Sequence, residues 1–154
     1  MAERAADSPP AHAAEREARR LALGAVFEAD FGQRTARRVL ERRLAEEGAG
    51  GGAAELGAQI VEAVIAERAE IDARIEQIAP QYPVVQLARI DRALLRCAVA
   101  ELLHCATPTR VVIAEWVELA RTYSGEPTRR LINGVLGRIA NEGGDSRRAR
   151  GSKP

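Results

Sequence analysis

Apolar residues recur along this chain at steps of three and four almost from end to end, and that spacing restricts it to helices packed on helices. The clearest case is Ile60, Val64, Ile71, Ile75 and Ile78. They share one helical face over about five turns and stop just before Pro80. No run alternates apolar and polar residues with the period of two that a half-buried strand needs. Composition points the same way: the hydrophobic share is 46% but aromatics are only 3%, so Ala, Leu, Ile and Val fill the interior. These, with abundant Glu and Arg, are mostly helix formers. An all-α fold is expected.

A first helix covers about Ala11 to Ala29, with Ala18, Leu21, Ala22, Ala25 and Val26 facing inward, and Asp30 and Gly32 end it. A second runs from about Thr35 to Glu46, offering Val39, Leu40 and Leu44, before a flexible glycine run, GAGGGA. The isoleucine-rich third helix follows. Pro80 and Pro83 then bracket Gln81 and Tyr82 in a rigid joint, which divides an N-terminal helical subdomain, residues 11–79, from a C-terminal one, residues 84–142. In the latter, Leu87, Ile90, Leu94, Cys97 and Glu101 share a face, and a fourth helix reaches about Cys105. Thr107 before Pro108 reads as a cap and first helical residue for a fifth, with Ile113, Trp116, Val117 and Ala120 inward. Pro127 opens a sixth, apolar at Leu131, Ile132, Val135, Leu136 and Ile139. Residues 1–10 and the basic tail 143–154 are expected to be disordered.

Lys and Arg (23) nearly balance Asp and Glu (22), so no global field would draw the protein onto nucleic acid; any such binding must come from a local patch. No stretch approaches the roughly 18 uninterrupted apolar residues of a membrane span. The opening MAERAADSPP has no signal-like apolar region, and a cytoplasmic location is expected. Cys97 and Cys105 lie about 12 Å apart along one helix, too far to bridge, and are expected to be reduced thiols. The two histidines, His12 and His104, make no convincing catalytic site, and His104 with the cysteines is spread around the helix rather than gathered on a metal. The run Gly48 to Gly52 lacks the Lys-Ser/Thr ending of a phosphate loop. Glu115 and Glu118, one turn apart, read as a solvated face rather than an acid/base pair. Neither catalysis, metal nor cofactor is expected.

Binding is a different matter. Arg16, Arg20, Leu23 and Phe27 fall on one face of the first helix, with Arg19 adjoining. Guanidinium groups there would meet phosphates while Phe27 stacks a base, as single-stranded RNA recognition requires. Equally, Glu15 precedes Arg19 by four residues and Glu17 precedes Arg20 by three, the spacing of local ion pairs. The residues leave both readings open. A second basic segment, Thr128-Arg129-Arg130-Leu131, opens the last helix, where N-terminal amides favour an anion. Tail residues Arg147, Arg148, Arg150 and Lys153 would add salt-sensitive affinity.

The C-terminal half also carries a specific pattern: Ile90-Asp91-Arg92, Leu95-Arg96 and Glu101-Leu102-Leu103, then Val112-Ile113 with Glu115, Val117-Glu118-Leu119-Ala120, and Asn133-Gly134-Val135-Leu136. Together with ARRLALGAVFEADFG (18 to 32) and Glu70-Ile71-Asp72, it resembles the NusB antitermination-factor family over roughly residues 14 to 141. That resemblance implies two packed three-helix bundles. It further implies pairing with NusE, a small-subunit ribosomal protein, and binding of the boxA element of RNA. The pair would join RNA polymerase through other Nus factors and promote processive transcription of ribosomal RNA operons. Carried over by position, the RNA-binding residues would be Arg16, Arg19, Arg20, Phe27, Asp91, Tyr123 and Leu131, and Arg130 adds a cation beside them. The sequence departs from the family's pattern at Glu15 and Glu17, where basic residues are frequent, and at Leu131, usually Phe; RNA affinity without the partner is expected to be weak. An alternative is a NusB-like RNA-binding or adaptor module acting in ribosomal RNA modification or ribosome assembly. Gly134, inside a helix, is expected to permit close packing, and Trp116 to be core.

Overall fold

The computed structural model describes residues 11–151, with side chains described over 12–143. The described residues form helices and turns, with no strand among them. Helices α1 (Ala11–Ala29), α2 (Ala36–Glu47) and α3 (Gly51–Ile78) pack on one another, and α4 (Arg89–His104), α5 (Thr109–Tyr123) and α6 (Glu126–Gly151) do the same. A short 3-10 turn, Val84–Gln86, lies between the two groups. The result is two three-helix bundles joined mainly by α4 against α1 and α3.

Local chemistry sets the element ends. Thr35 caps α2 by accepting the Arg38 N–H at 3.2 Å. Gly48 ends α2 in the left-handed region (φ 63°), and the Gly48 and Ala49 N–H groups bond the Ala45 and Leu44 carbonyls. Only the first part of the glycine run is the flexible loop expected. α3 already begins at Gly51, because Ala53 and Gly57 are buried where α3 meets its neighbours: a Cβ at Gly57 would sit 3.6 Å from the Ala18 carbonyl oxygen of α1. α3 breaks helical geometry at Glu67 (φ −116°, ψ 21°), the turn at which its apolar stripe between Val64 and Ile71 has no apolar member. The fifth helix starts one residue later than expected, with Pro108 flanking it, and Thr107 turns its hydroxyl to Glu101 instead. α6 continues to Gly151, past the boundary expected at Gly143: glycines costing about 1 kcal/mol each do not stop a helix that has already propagated for several turns. Residues 1–10 and 152–154 lie outside the described residues, as do the side chains of the tail arginines.

The centre of the molecule is α4. Every residue from Ala93 to Glu101 is buried, since α1 and α3 cover one side and α5 and α6 the other. That run includes two charged residues, and each has a partner across the bundle boundary. Arg96 donates twice to Asp72 of α3, both bonds at 2.9 Å, and Glu101 receives Arg19 of α1. Near the start of α4, Arg92 adds a third bridge to Asp30 at 2.6 Å. Buried charges are tolerated only when paired and hydrogen-bonded, so these bridges fix how the two bundles register.

Candidate nucleic-acid interface

α1 carries half of the residues expected to meet RNA, and its surroundings separate them. Ala18, Arg19, Leu21, Ala22, Leu23, Ala25 and Val26 are all buried, because α2, α3 and α4 enclose the middle of this helix. Leu23 is therefore core. The face drawn through Arg16, Arg20, Leu23 and Phe27 is not a continuous outer surface.

Arg19 departs furthest from expectation. It is 1% exposed, and its Nε and Nη2 donate to the two carboxylate oxygens of Glu101, each at 2.8 Å. The Trp116 indole N–H adds a third donor to Glu101 at 2.7 Å. Burial alone would push the Glu101 carboxyl up, but hydrogen bonds from Arg19, Thr107 and Trp116 outweigh it and hold the group below the usual carboxylate range. Bidentate geometry of this kind is what Arg, and not Lys, supplies. Arg19 is thus a structural partner of Glu101, with only its Nη1 uncommitted: that nitrogen lies 3.8 Å from Glu115 Oε1 and has no hydrogen-bond acceptor among the described residues.

Arg20 is held by Glu17 one turn earlier and by Glu47 of α2 at 2.8 Å, and these hydrogen bonds raise its pKa further. For Arg20, local ion pairing is the arrangement the fold adopts. Arg16 remains outward, its side chain 68% exposed, with Nε donating to Glu115 Oε1 at 2.8 Å. Glu115 is correspondingly not part of a solvated face; its side chain is only 16% exposed, whereas Glu118 is open and near Arg121. Phe27 is half-buried and meets Phe31 edge-on, with ring centroids 5.3 Å apart. Of this pair the exposed ring is Phe31, over which the Arg89 guanidinium carbon stands 4.6 Å from the ring centroid. Neither Phe31 nor Arg89 was expected: Phe31 falls in the turn after α1, where helical periodicity assigns no face.

The remaining candidates gather around the start of α6. Asp91, in the first turn of α4, accepts the Ser124 hydroxyl at 2.5 Å, and Ser124 bonds Thr128 at 3.1 Å. Asp91 thereby ties α4 to the α5–α6 turn, next to the exposed Tyr123. Arg129 pairs with Glu126, whereas Arg130 is exposed and lines a groove with Tyr82, the half-buried Leu131 and Gly134. A Cβ added at Gly134 would meet nothing within 4 Å, so this glycine is not there for close packing; it faces the groove. Trp116 is core, as expected, but is also a donor to a buried acid.

Other chemistry is sparse. Burial pushes the Cys97 thiol strongly up and Cys105 up to about 11, so both are inert thiols. Among the described residues no group of three or more His, Cys, Asp and Glu side chains is placed to hold a metal, and no helix is long and apolar enough to cross a membrane.

Comparison with known proteins agrees with this architecture. The NusB family model matches residues 16–141. The chain is 36% identical over 136 residues to the transcription antitermination protein NusB of Dehalococcoides mccartyi, covering 88% of this chain and 95% of that protein. It is 39% identical over 121 residues to the protein of the same name from Chloroflexus aggregans, covering 77% and 81% respectively. Among solved structures, NusB of T. maritima superposes with a TM-score of 0.75 at 29% identity, covering 82% of this chain and 90% of that one. NusB in a crystal structure with NusE and double-stranded RNA superposes with a TM-score of 0.72 at 25% identity, covering 84% and 97%. With its family pattern spanning both bundles and its fold shared with solved NusB structures, this chain belongs to the NusB family.

Proposed function

We propose that this chain is an RNA-binding transcription antitermination factor. It acts with a NusE-type ribosomal protein on boxA RNA, joins RNA polymerase through other Nus factors and promotes processive transcription of ribosomal RNA operons. The observation that carries this reading is the likeness over nearly the whole chain to proteins named for transcription antitermination. The shared fold with a NusB–NusE–RNA complex supports the choice of partners. The distribution of charge supports a division of labour: Arg19 and Arg20 are consumed by Glu101, Glu17 and Glu47, so of the three first-helix arginines only Arg16, itself paired with Glu115, keeps a largely exposed side chain. A first helix with so little free charge makes a weak electrostatic grip on phosphates, so the partner carries much of the affinity. No catalytic role is proposed.

The test is a titration of boxA-like and scrambled RNA with the protein, alone and with its own NusE, at two salt concentrations. The expected result is weak binding alone and a clear boxA preference for the pair. A pair that does not distinguish boxA from the scrambled sequence would sink the proposal.

A further inference from the structure

We infer that the cleft between α1 and α5 is a pocket for one unstacked RNA base, read along its hydrogen-bonding edge by Glu115 and Arg19; this rests on the RNA-binding function proposed above. The cleft encloses about 220 Å³ and is lined by Arg16, Arg19, Glu115, Glu118, Leu119 and Thr122. That is smaller than the ~300–1,000 Å³ typical of drug-sized ligand sites, which suits a flat fragment rather than a whole nucleotide.

The lining selects the chemistry. Arg19 is fixed in place by its two bonds to Glu101, yet its Nη1 has N–H groups with no acceptor, and buried donors left unpaired are costly. Glu115 Oε1 sits 3.8 Å from that nitrogen and is held instead by Arg16, whose side chain is 68% exposed. A solvent-facing pair of this kind is worth little and exchanges easily. A phosphate does not fit, because it would have to approach two carboxylates, Glu115 and Glu118. A base edge offering donors beside an acceptor does fit. The guanine edge presents N1–H and N2–H, which a carboxylate accepts together, next to O6, which Arg19 Nη1 would donate to. Leu119 supplies an apolar wall for the ring. Occupancy by the base displaces Arg16 from Glu115 and frees it for the adjoining phosphate, so the pocket converts an internal ion pair into two contacts with RNA.

The test uses the full chain with its NusE and a single-stranded boxA-like RNA, in natural form and with each guanosine replaced in turn by inosine, which lacks the N2 amino group. At one position inosine is expected to weaken binding by the wild-type pair about tenfold, within the range for loss of a bidentate base contact. With Glu115→Gln, which cannot accept both donors, the same substitution should cost less than about twofold. Glu62→Gln, at an exposed glutamate away from the cleft, serves as the charge-matched control and should retain the inosine penalty. Equal inosine penalties in wild type and Glu115→Gln overturn the pocket assignment while leaving the proposed function standing. Failure of the wild-type pair to bind the RNA at all overturns both.

Discussion

Replacing Arg19 by alanine should destabilise the protein far more than any surface arginine change. The substitution removes two charge-assisted hydrogen bonds of 2.8 Å from a carboxylate that is 0% exposed, leaving Glu101 with the Trp116 indole and the Thr107 hydroxyl. Hydrogen bonds to charged groups contribute roughly 1.5–3 kcal/mol each. Breaking a buried pair by deleting one partner costs about 3–5 kcal/mol. The two routes overlap near 4 kcal/mol, and for a chain of this size each kcal/mol shifts Tm by about 2–4 °C. A fall of roughly 8–16 °C is expected in a thermal melt followed by far-UV circular dichroism near neutral pH. The pH dependence then separates a stranded charge from a simple cavity. In the wild type the folded Glu101 carboxyl sits below its unfolded value, so its contribution is full above about pH 4.3 and is lost as pH falls through the folded value. Without Arg19, burial dominates and the folded value rises above the unfolded one; protonation then relieves the variant. The gap between the two melting temperatures should narrow as pH falls towards the unfolded carboxyl value of about 4.3. The double variant Arg19→Met with Glu101→Gln, uncharged and still able to accept from Trp116, should recover more than half of the loss. A penalty below about 1 kcal/mol, or a gap that does not change with pH, would refute the reasoning.

Arg16→Ala should leave Tm within about 2 °C, since an exposed pair is worth under about 1 kcal/mol, while lowering the salt slope of RNA binding by about one; an unchanged slope removes Arg16 from phosphate contact. Gly134→Ala should raise stability by about 1 kcal/mol in a denaturant titration, because an added Cβ meets nothing there; a loss would mean the helix packs differently. Gly57→Ala should be accommodated, the nearest atoms standing 3.6 Å from the new Cβ, whereas Gly57→Leu should drive α1 from α3 and lower Tm sharply. Cys97 should resist Ellman's reagent at about pH 8 until the protein unfolds, with Cys105 reacting slowly; rapid labelling of both would contradict the burial described.

Helix number, order and most inward residues were legible because amphipathic spacing is a local signal: Ile60, Val64, Ile71 and Ile75 are buried as their periodicity demands. Long-range pairing was not. Arg19 reads as surface from its own helix, since its acceptor lies 82 positions away. A signal did exist: Glu101 shared the apolar face of α4 with Leu94 and Cys97, and an acid in that position needs a buried cation. Leu23 was misjudged for the opposite reason. α1 is enclosed on several sides, so its inward surface is wider than the stripe through Ala18 and Ala25 suggests. The resemblance carried over Asp91 and Arg20 as contacts, but whether such residues are free is decided by Ser124 in one case and by Glu17 and Glu47 in the other.

The bridges that cross from α1 and α3 to α4 have a bearing on synthesis. When the N-terminal half leaves the ribosome, Arg19, Asp30 and Asp72 have none of their native partners, which lie at Glu101, Arg92 and Arg96. During that interval these three charged side chains remain hydrated, and the first bundle is an open template rather than a finished unit. Emergence of α4 is the step that closes it. A nascent chain halted before α4 emerges would therefore present α1 with Arg19 unpaired while Arg20 keeps Glu17 and Glu47, a surface unlike that of the completed protein.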